Sequence, residues 1–436
     1  MKKSKYNIFF NYNPSTRLAF NFFTCQLSEV DNDFFDIYDN IQESSNVVFG
    51  NSDVYEKMIE GGYIVGDRFD ELEILKLRHY SAKCDSSSCS LIIAPTMDCN
   101  FGCPYCYESR SKTYMSPEVE TKIIEFVSQL SSSIRRLSIV WYGGEPLLAI
   151  DVIQRMSRKM IESSEQHNVE YSATMISNGY LIDSIDVEVL KQAKINNIQI
   201  TIDGPEDIHN ERRFLLNNHG PTFTRIISNI HLLEANGINY NIRVNVDNNN
   251  LSNVRKLLEY LKEQRLDSQP VSFGHVREFN RSVGSIIDDF CSIQEYTDIN
   301  MVLQSKLVDM KFKSVSISCP QIRKTYCAAN TLQSFVVDPL GYLYKCWNDI
   351  GFVSKSIGSI ISNRKDNNFT ALYNEYTLFN PFNVSKCREC VMLPTCMGGC
   401  VFDNINRKDE CKMSLDSVIQ GLKRAYYDIT VKNISY

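Results

Sequence analysis

The middle of the chain alternates between strand and helix patterns, and this alternation limits its fold more than any other feature. Six short apolar runs are Leu91–Ala94, Leu137–Tyr142, Ser172–Ile176, Ile198–Ile202, Asn241–Val246 and Val271–Val276. The helical patterns between them are Pro117–Leu130, Asp151–Ser164, Asp186–Ala193, Thr222–Ala235 and Val254–Gln264. Repeated strand–helix units form a parallel sheet with right-handed crossovers. We therefore predict an α/β fold, either a partial (β/α)6 TIM barrel or a doubly wound sheet, with reactive groups at the carboxyl ends of the strands.

The composition excludes several classes of protein. Apolar residues make up 43% and charged residues 22% of the 436 residues, as in an ordinary globular protein with two or three domains. A net charge of −6 argues against a surface for nucleic acid or anionic membrane. No apolar run reaches the ~18 residues that span a bilayer, and asparagines interrupt the segment after the basic start. We expect a cytoplasmic protein with no nucleic-acid or membrane partner.

An N-terminal unit over residues 1–85 precedes the alternating region. Two aromatic strands, Tyr6–Phe10 and Arg17–Phe23, are followed by three helical patterns. These helical patterns are Asp31–Ile41, Asp53–Ile59 and Glu71–Tyr80. A hairpin with three short helices predicts a winged-helix-like domain. Its nine basic and thirteen acidic residues through position 84 make DNA reading unexpected.

The barrel domain is predicted over residues 90–305, and a cysteine-rich domain follows over residues 310–436. The latter has two short strand patterns, Gln333–Val337 and Tyr342–Lys345, and a helix over Leu415–Ile429. Eight of the fifteen cysteines lie between positions 319 and 411. Tight cysteine spacing in a reducing compartment favours metal over disulfides. No function is assigned to four other cysteines. Cys84 and Cys89 are interpreted as linker residues, and Cys25 and Cys291 as small core residues.

Two motifs follow the first two predicted strands. Cys99, Cys103 and Cys106 have the spacing C-x3-C-x2-C, and three thiolates leave one corner of a four-iron cube open to a reactant. Alone, the triplet is also compatible with zinc or coincidence. The second strand runs into Gly143-Gly144-Glu145-Pro146, which alone reads as a glycine turn with a proline opening a helix.

Taken together and in this order, the two motifs resemble the signature of the radical S-adenosylmethionine (SAM) superfamily, including the aromatic Tyr105 before the third cysteine. The resemblance implies a [4Fe-4S] cluster on Cys99, Cys103 and Cys106. Its open iron chelates SAM, and its electron cleaves SAM to a 5′-deoxyadenosyl radical. Gly143 and Gly144 would let the backbone approach the SAM amino group, and Glu145 would accept hydrogen bonds from it. Later strand ends would contribute further SAM-site residues, namely Ser177, Asn178, Asp203 and Arg243.

Other polar residues near strand ends carry weaker expectations. His209 is interpreted as a structural histidine as readily as a functional one, and Arg213 as a surface charge. Asp203, His275 and Glu278 are candidates for a general base, and the sequence does not choose among them.

The cysteine-rich region resembles the SPASM extension of peptide-modifying radical SAM enzymes, which holds two auxiliary four-iron clusters. The resemblance assigns four ligands to the outer cluster: Cys387, Cys390, Cys396 and Cys411. It assigns Cys327, Cys346 and Cys400 to the inner one. Cys319 is the natural fourth inner ligand, although its spacing lies outside the pattern; without it, an open iron could bind a substrate thiolate. Structural zinc between Cys387 and Cys411 is the alternative.

The two resemblances imply a SAM-dependent maturase with three [4Fe-4S] clusters that installs a cross-link, above all a Cys thioether, in a ribosomally synthesised precursor peptide. Its N-terminal unit would bind the leader peptide, or merely cap the barrel, and a flavodoxin or ferredoxin would supply electrons. Anaerobic sulfatase maturation, which makes formylglycine, is an alternative. That branch has an aspartate directly after the cysteine equivalent to Cys346, whereas this chain has Trp347, with Asp349 two residues on. A non-catalytic metal-binding peptide scaffold is the alternative of another class.

Overall fold

A nine-stranded sheet forms the centre of the molecule in a computed structural model that describes residues 1–41, 52–277, 292–313, 319–362, 367–406, 411 and 414–430. The strands are β1 (Lys2–Lys3), β2 (Asn7–Asn11), β3 (Arg17–Asn21), β4 (Gln26–Val30), β5 (Ile64–Val65), β6 (Ser88–Ile93), β7 (Arg136–Trp141), β8 (Glu170–Ser177), β9 (Ile195–Thr201), β10 (Asn239–Val246), β11 (Val271–His275), β12 (Ser334–Val337), β13 (Tyr342–Tyr344) and β14 (Gly358–Ser359). The central sheet has the order β11-β10-β9-β8-β7-β6-β12-β13-β14.

Helices connect and cover these strands. The helices are α1 (Asn32–Asn40), α2 (Ser52–Glu60), α3 (Glu71–Lys83), α4 (Pro117–Ser131), α5 (Ile150–Gln166), α6 (Val187–Gln192), α7 (Glu206–Arg212), α8 (Phe223–Ala235), α9 (Val254–Glu263), α10 (Ile293–Asp309), α11 (Asn367–Leu378), α12 (Ser385–Arg388), α13 (Leu393–Cys396), α14 (Val401–Asn406) and α15 (Leu415–Thr430). Within the described ranges, no helix has both the length and the apolar character needed to cross a bilayer.

Strands β6 to β11 are parallel throughout, which confirms the predicted α/β fold with a parallel sheet. Each predicted strand overlaps an observed one. Helices α4, α5, α8 and α9 turn their apolar residues onto the sheet and form one large core with it. Trp141, at the end of β7, is fully buried in this core. The parallel arrangement brings the carboxyl ends of six strands to one edge.

The cysteine-rich region joins the same sheet. Strand β12 pairs in parallel with β6, and β13 and β14 extend that edge in antiparallel pairs. The sequence predicted β12 and β13 as strands of a separate domain and did not predict this pairing. After β13, Trp347 stacks on Tyr142, which follows β7, so the cysteine-rich region reaches the carboxyl ends of the parallel strands.

The N-terminal unit contains a three-stranded antiparallel sheet of β2, β3 and β4, with the short pair β1–β5 beside it. The predicted hairpin and three helices are present, but β4 was not predicted. Asn21 at the end of β3 is fully buried, and its amide bonds to Ser4, Asn7 and the Gly62 carbonyl. These bonds tie the sheet to the segment after α2. Among the strands that the structure describes, β4 pairs with β3 alone and is therefore an edge strand.

Candidate active site

A cavity of about 330 Å³ opens at the carboxyl ends of β6 to β11. Its walls contain residues from the cysteine triplet, from the loops after the parallel strands and from the segment after β13. The lining residues are Cys99, Phe101, Cys103, Tyr105, Cys106, Tyr107, Glu108, Tyr142, Gly143, Gly144, Ile176, Ser177, Asn178, Gln199, Thr201, Arg213, Arg243, Asn245, His275, Val276, Arg277, Trp347 and Asn348. The structure thus brings the triplet and most of the predicted SAM-site residues to one place, while Glu145, Asp203 and the C-terminal cysteines lie outside the lining.

The three triplet thiols lie together in the loop after β6. Burial raises the pKa of Cys99, and the nearby Glu145, Cys103 and Cys106 raise it further. Burial also raises the pKa of Cys103, which Arg213 partly offsets, and raises the pKa of Cys106 to about 12. Thiols that lie close together repel one another as thiolates and need a positive partner in order to ionise. This donor set fits the iron atoms of a cluster, whose usual ligands are thiolates.

The glycines after β7 let that loop pack against the cysteine loop. A Cβ on Gly143 would lie 2.4 Å from the Thr96 carbonyl oxygen, and its φ is +96°. A Cβ on Gly144 would lie 2.2 Å from the Asp98 carbonyl oxygen. The Glu145 N–H donates to that same oxygen at 2.8 Å. The glycines are therefore required for the contact between the two motif loops. This role is separate from their predicted role of letting the backbone approach SAM.

We expect Gly144→Ala to abolish 5′-deoxyadenosine formation in the reconstituted enzyme. The new methyl group would meet backbone rather than a movable side chain, so one of the two loops must shift. The matched control is Gly66→Ala, because a Cβ at Gly66 meets nothing within 4 Å. SAM cleavage by Gly144→Ala at the rate of the control would contradict this role.

Glu145 is fully buried, and protein groups already hold its carboxylate. Ser177 Oγ donates to Oε1 at 2.8 Å, and the Asn178 N–H donates to Oε2 at 2.7 Å. The Leu147 N–H donates to Oε1 at 3.0 Å. Burial raises the pKa of Glu145, and these bonds oppose that rise. Ser177 and Asn178 line the cavity and Glu145 lies behind them, so its bond to the SAM amino group stays a prediction.

Tyr105, Asp203 and Arg213 form a buried network behind the cysteine loop. The Tyr105 hydroxyl donates to Asp203 Oδ2, and Arg213 Nη1 donates to that hydroxyl at 2.7 Å. Asp203 also accepts from the Asn245 N–H at 3.0 Å, and lies in the layer behind the cavity wall rather than in it. Arg213 is buried and lines the cavity, so the interpretation of it as a surface charge is wrong.

Two of the three candidate bases are held by other side chains. Asp203 accepts hydrogen bonds from Tyr105 and from the Asn245 N–H. The His275 ring lines the cavity and stacks on the Tyr296 ring, with the ring centres 4.5 Å apart. Glu278 lies outside the described residues, as does Cys291. His209 bonds through both ring nitrogens, to the Asp203 N–H and to Thr222 Oγ1, which fits the structural interpretation.

The sequence did not point to Glu108, which lines the cavity two residues after the triplet. Burial raises its pKa to about 7, opposed by a hydrogen bond with Tyr142. The Tyr142 hydroxyl also contacts that of Tyr107, and its ring stacks on Trp347 at 5.7 Å. Through these two contacts, Tyr142 connects the cysteine triplet loop with Trp347, the residue after Cys346. No local pattern predicts it, because the partners are far apart in sequence.

The C-terminal cysteines fall into two groups. Electrostatic coupling joins the four predicted outer ligands, which are Cys387, Cys390, Cys396 and Cys411. Cys327, Cys346 and Cys400 pack around one apolar cluster with Tyr376 and Phe402, next to the cavity. The structure therefore groups the cysteines of each predicted ligand set with one another, apart from Cys319.

Cys319 packs in the apolar cluster that contains Cys387 and Cys390, and it also lies near Cys25. The apolar cluster around Cys327, Cys346 and Cys400 does not include it, and its role as the fourth inner ligand stays a prediction. Among the described side chains, no three Cys, His, Asp or Glu groups converge closely enough to hold a single metal ion. Cluster ligands are more widely spaced, because each thiolate binds a different iron atom.

Comparison with known proteins identifies the class of this chain. Residues 93–261 match the radical SAM superfamily. The match includes both motifs and the whole of strands β7 to β10, and it confirms the prediction of a radical SAM enzyme.

Among characterised relatives, a cysteine-type anaerobic sulfatase-maturating enzyme of Clostridium novyi is 23% identical over 72% of this chain and 88% of its own length. The radical SAM cyclopropyl synthase TigE of Paramaledivibacter caminithermalis is 22% identical over 86% of this chain and 84% of its own. The crystal structure of Streptococcus suis SuiB bound to precursor peptide SuiA shares the fold, with a TM-score of 0.55 and 16% identity over 94% of this chain and 97% of that one.

Proposed function

We propose that this chain is a peptide maturase that installs a cross-link, above all a Cys thioether, in a ribosomally synthesised precursor peptide. The observation that carries the proposal is the shared cavity, in which Cys99, Cys103 and Cys106 face the Trp347-Asn348 segment directly after Cys346. A substrate in this cavity contacts both the radical-generating site and the proposed inner auxiliary site. Oxidative bond formation needs both sites, because the radical-generating site removes a hydrogen atom and the auxiliary site accepts an electron.

Within this proposal, the triplet holds the first [4Fe-4S] cluster, which, when bound, supplies the electron that cleaves SAM. Gly143 and Gly144 keep the two motif loops in contact, and Glu145 orients Ser177 and Asn178 at the cavity wall. The two C-terminal cysteine groups hold the remaining two clusters, and a flavodoxin or ferredoxin reduces the enzyme.

A groove in the N-terminal unit supports recognition of an extended leader peptide. Its volume is about 410 Å³, and it lies between the edge strand β4 and helix α2. An extended peptide can add to an exposed sheet edge through main-chain hydrogen bonds. Among solved structures, the likeness to SuiB extends over 94% of this chain, and the likeness to anSMEcpe with bound AdoMet over 80%. The wider likeness supports a shared fold that includes the N-terminal unit, and SuiB was solved bound to a precursor peptide.

Sulfatase maturation is the second candidate, and the likeness to the Clostridium novyi enzyme favours it. The cavity opposes it. Trp347 occupies the position after Cys346, and Asp349 is absent from the cavity lining. The Asp349 carboxylate is buried and accepts from the Tyr376 hydroxyl at 2.6 Å. Among the described lining residues, Glu108 is the only carboxylate.

Co-expression with short open reading frames beside the gene tests the proposal. We expect a peptide that has lost two hydrogens per modification, with the affected cysteine resistant to alkylation. The control is the Cys99→Ala/Cys103→Ala/Cys106→Ala variant, which should leave the peptide unchanged. Conversion of a sulfatase cysteine to formylglycine, with every short peptide unmodified, would overturn the cross-linking proposal.

A further inference from the structure

A buried lysine lies directly before one of the proposed inner ligands. Lys345 precedes Cys346 in the chain and is only 2% exposed. Its Nζ donates to the Thr331 carbonyl at 2.6 Å and to the Ser334 carbonyl at 2.7 Å. These two hydrogen bonds fix the ammonium group in the cysteine-rich region.

The same hydrogen bonds connect the two segments that carry inner cysteines. A single 3-10 turn, Ala328–Asn330, begins directly after Cys327, and the N–H of Thr331 closes it. Burial lowers the pKa of Lys345 to about 8, and the nearby Cys327 thiol opposes that fall. The ammonium group therefore lies near Cys327, while the main chain of Lys345 leads into Cys346.

The charge of Lys345 has no acidic partner among the described residues. Besides the two carbonyls, the ammonium group meets the rings of Phe335 and Tyr373, whose centres lie 5.1 and 5.4 Å from Nζ. Carbonyl groups and ring faces carry no net charge, so they stabilise the cation without neutralising it. A buried cation without a counter-charge is costly. An anionic group beside Cys327 would offset that cost.

Two other charged side chains near the proposed inner ligands have partners of opposite charge. Arg277 pairs with Asp403 at 3.0 Å. The Asp349 carboxylate has Lys355 as its nearby cation. Lys345 is thus the cation beside these cysteines that the described side chains leave unmatched.

We propose that Lys345 supplies the positive charge that balances the inner auxiliary cluster and raises its reduction potential. Three cysteines around one apolar cluster, next to this ammonium group, fit a thiolate-bound group. A four-iron cluster with thiolate ligands is anionic and becomes more so on reduction. A fixed positive charge beside it therefore favours the reduced form.

This inference rests on the inner cluster of the proposed function and gives that cluster a direction. A higher potential makes it a better acceptor for the electron that leaves the substrate. Lys345 acts through its charge on the cluster and contacts no substrate, so it is a positioning residue rather than a catalytic one.

The test is a redox titration of the reconstituted full-length chain at constant pH, followed by electron paramagnetic resonance. The background is Cys99→Ala/Cys103→Ala/Cys106→Ala, which lacks the first cluster and should leave two one-electron steps. Lys345→Met removes the charge and the hydrogen bonds, Lys345→Gln removes the charge but keeps an amide donor, and Lys345→Arg keeps the charge.

The matched control is Lys83→Met. Lys83 is also buried, and it also donates to a carbonyl, that of Phe379, at 2.9 Å. Its nearby thiol is Cys84, which belongs to none of the proposed ligand sets.

We expect Lys345→Met and Lys345→Gln to move one of the two steps to a more negative potential. At the potential that half-reduces the background protein, the ratio of reduced to oxidised cluster should fall about tenfold, which is about 59 mV for one electron. The other step should stay unchanged, and Lys345→Arg and Lys83→Met should titrate like the background. Loss of about four irons from both neutral variants but not from Lys345→Arg would support the same role more strongly.

A background potential retained by Lys345→Gln would overturn the proposal, because hydrogen bonding would then suffice without charge. An equal shift in Lys83→Met would also overturn it. Failure of the proposed inner cluster is seen separately, as zinc or fewer than about eight irons in the background protein before any lysine is changed. Peptide modification enters none of these measurements.

Discussion

Replacing Cys99, Cys103 and Cys106 together by alanine should abolish 5′-deoxyadenosine formation and remove about a third of the iron. If three four-iron clusters are present, the reconstituted protein holds about twelve irons, and the variant should keep about eight. The loss should be confined to one site, because the triplet lies after β6 and the eight proposed auxiliary-cluster cysteines lie between residues 319 and 411. Iron analysis and detection of 5′-deoxyadenosine by chromatography measure the two effects.

The matched control for the triplet variant is Cys84→Ala. Cys84 is exposed at the end of α3 and belongs to none of the proposed ligand sets. It should retain full iron content and full SAM cleavage. Stoichiometric zinc in place of iron, or continued 5′-deoxyadenosine formation by the triple variant, would refute the assignment of the triplet.

Removal of the Arg277 guanidinium should destabilise the protein by about 3–5 kcal/mol. Arg277 follows β11, and its two Nη atoms each donate to one oxygen of Asp403 at 3.0 Å. Asp403 is only 2% exposed, so Arg277→Met removes the guanidinium from beside a buried carboxylate. This pair holds α14, which follows Cys400, against the mouth of the parallel sheet. Denaturant unfolding of the reconstituted protein measures the change.

A double-mutant cycle separates the ion pair from simple loss of packing. Arg277→Met with Asp403→Leu should recover part of the stability, since the buried charge is then gone. The exposed pair Arg255–Glu259 is the control, and its removal should cost no more than about 0.5 kcal/mol. If Arg277→Met costs no more than that control, the pair does not hold α14 in place.

The parallel core was predictable from sequence because its signal is local. Buried parallel strands are continuous apolar runs, and helices with one apolar face separate them. Strand β4 escaped prediction because Gln26–Val30 has only two apolar residues and pairs on one side. The pairing of β12 with β6 joins residues more than 240 positions apart, and no local pattern specifies such a contact.

The candidate site was predictable as a set of motifs and not as a geometry. The order of the triplet and the glycine motif indicated a SAM site, yet the three donors that hold Glu145 depend on loop positions. Arg213 looked exposed because an arginine after a polar helix usually is. Its burial follows from the hydroxyl of Tyr105, which comes from another strand end. Glu108 carries no motif and is found only through the cavity.

The pairing of β12 with β6 also limits how the chain can be divided. If the chain ended at residue 313, β6 would keep β7 on one side and present an unpaired edge on the other. Exposed strand edges pair with other molecules and promote aggregation. A fragment that ends at residue 313 should therefore aggregate more readily than the full chain. Chimaeras that exchange the cysteine-rich region should keep β12 and β6 from the same parent.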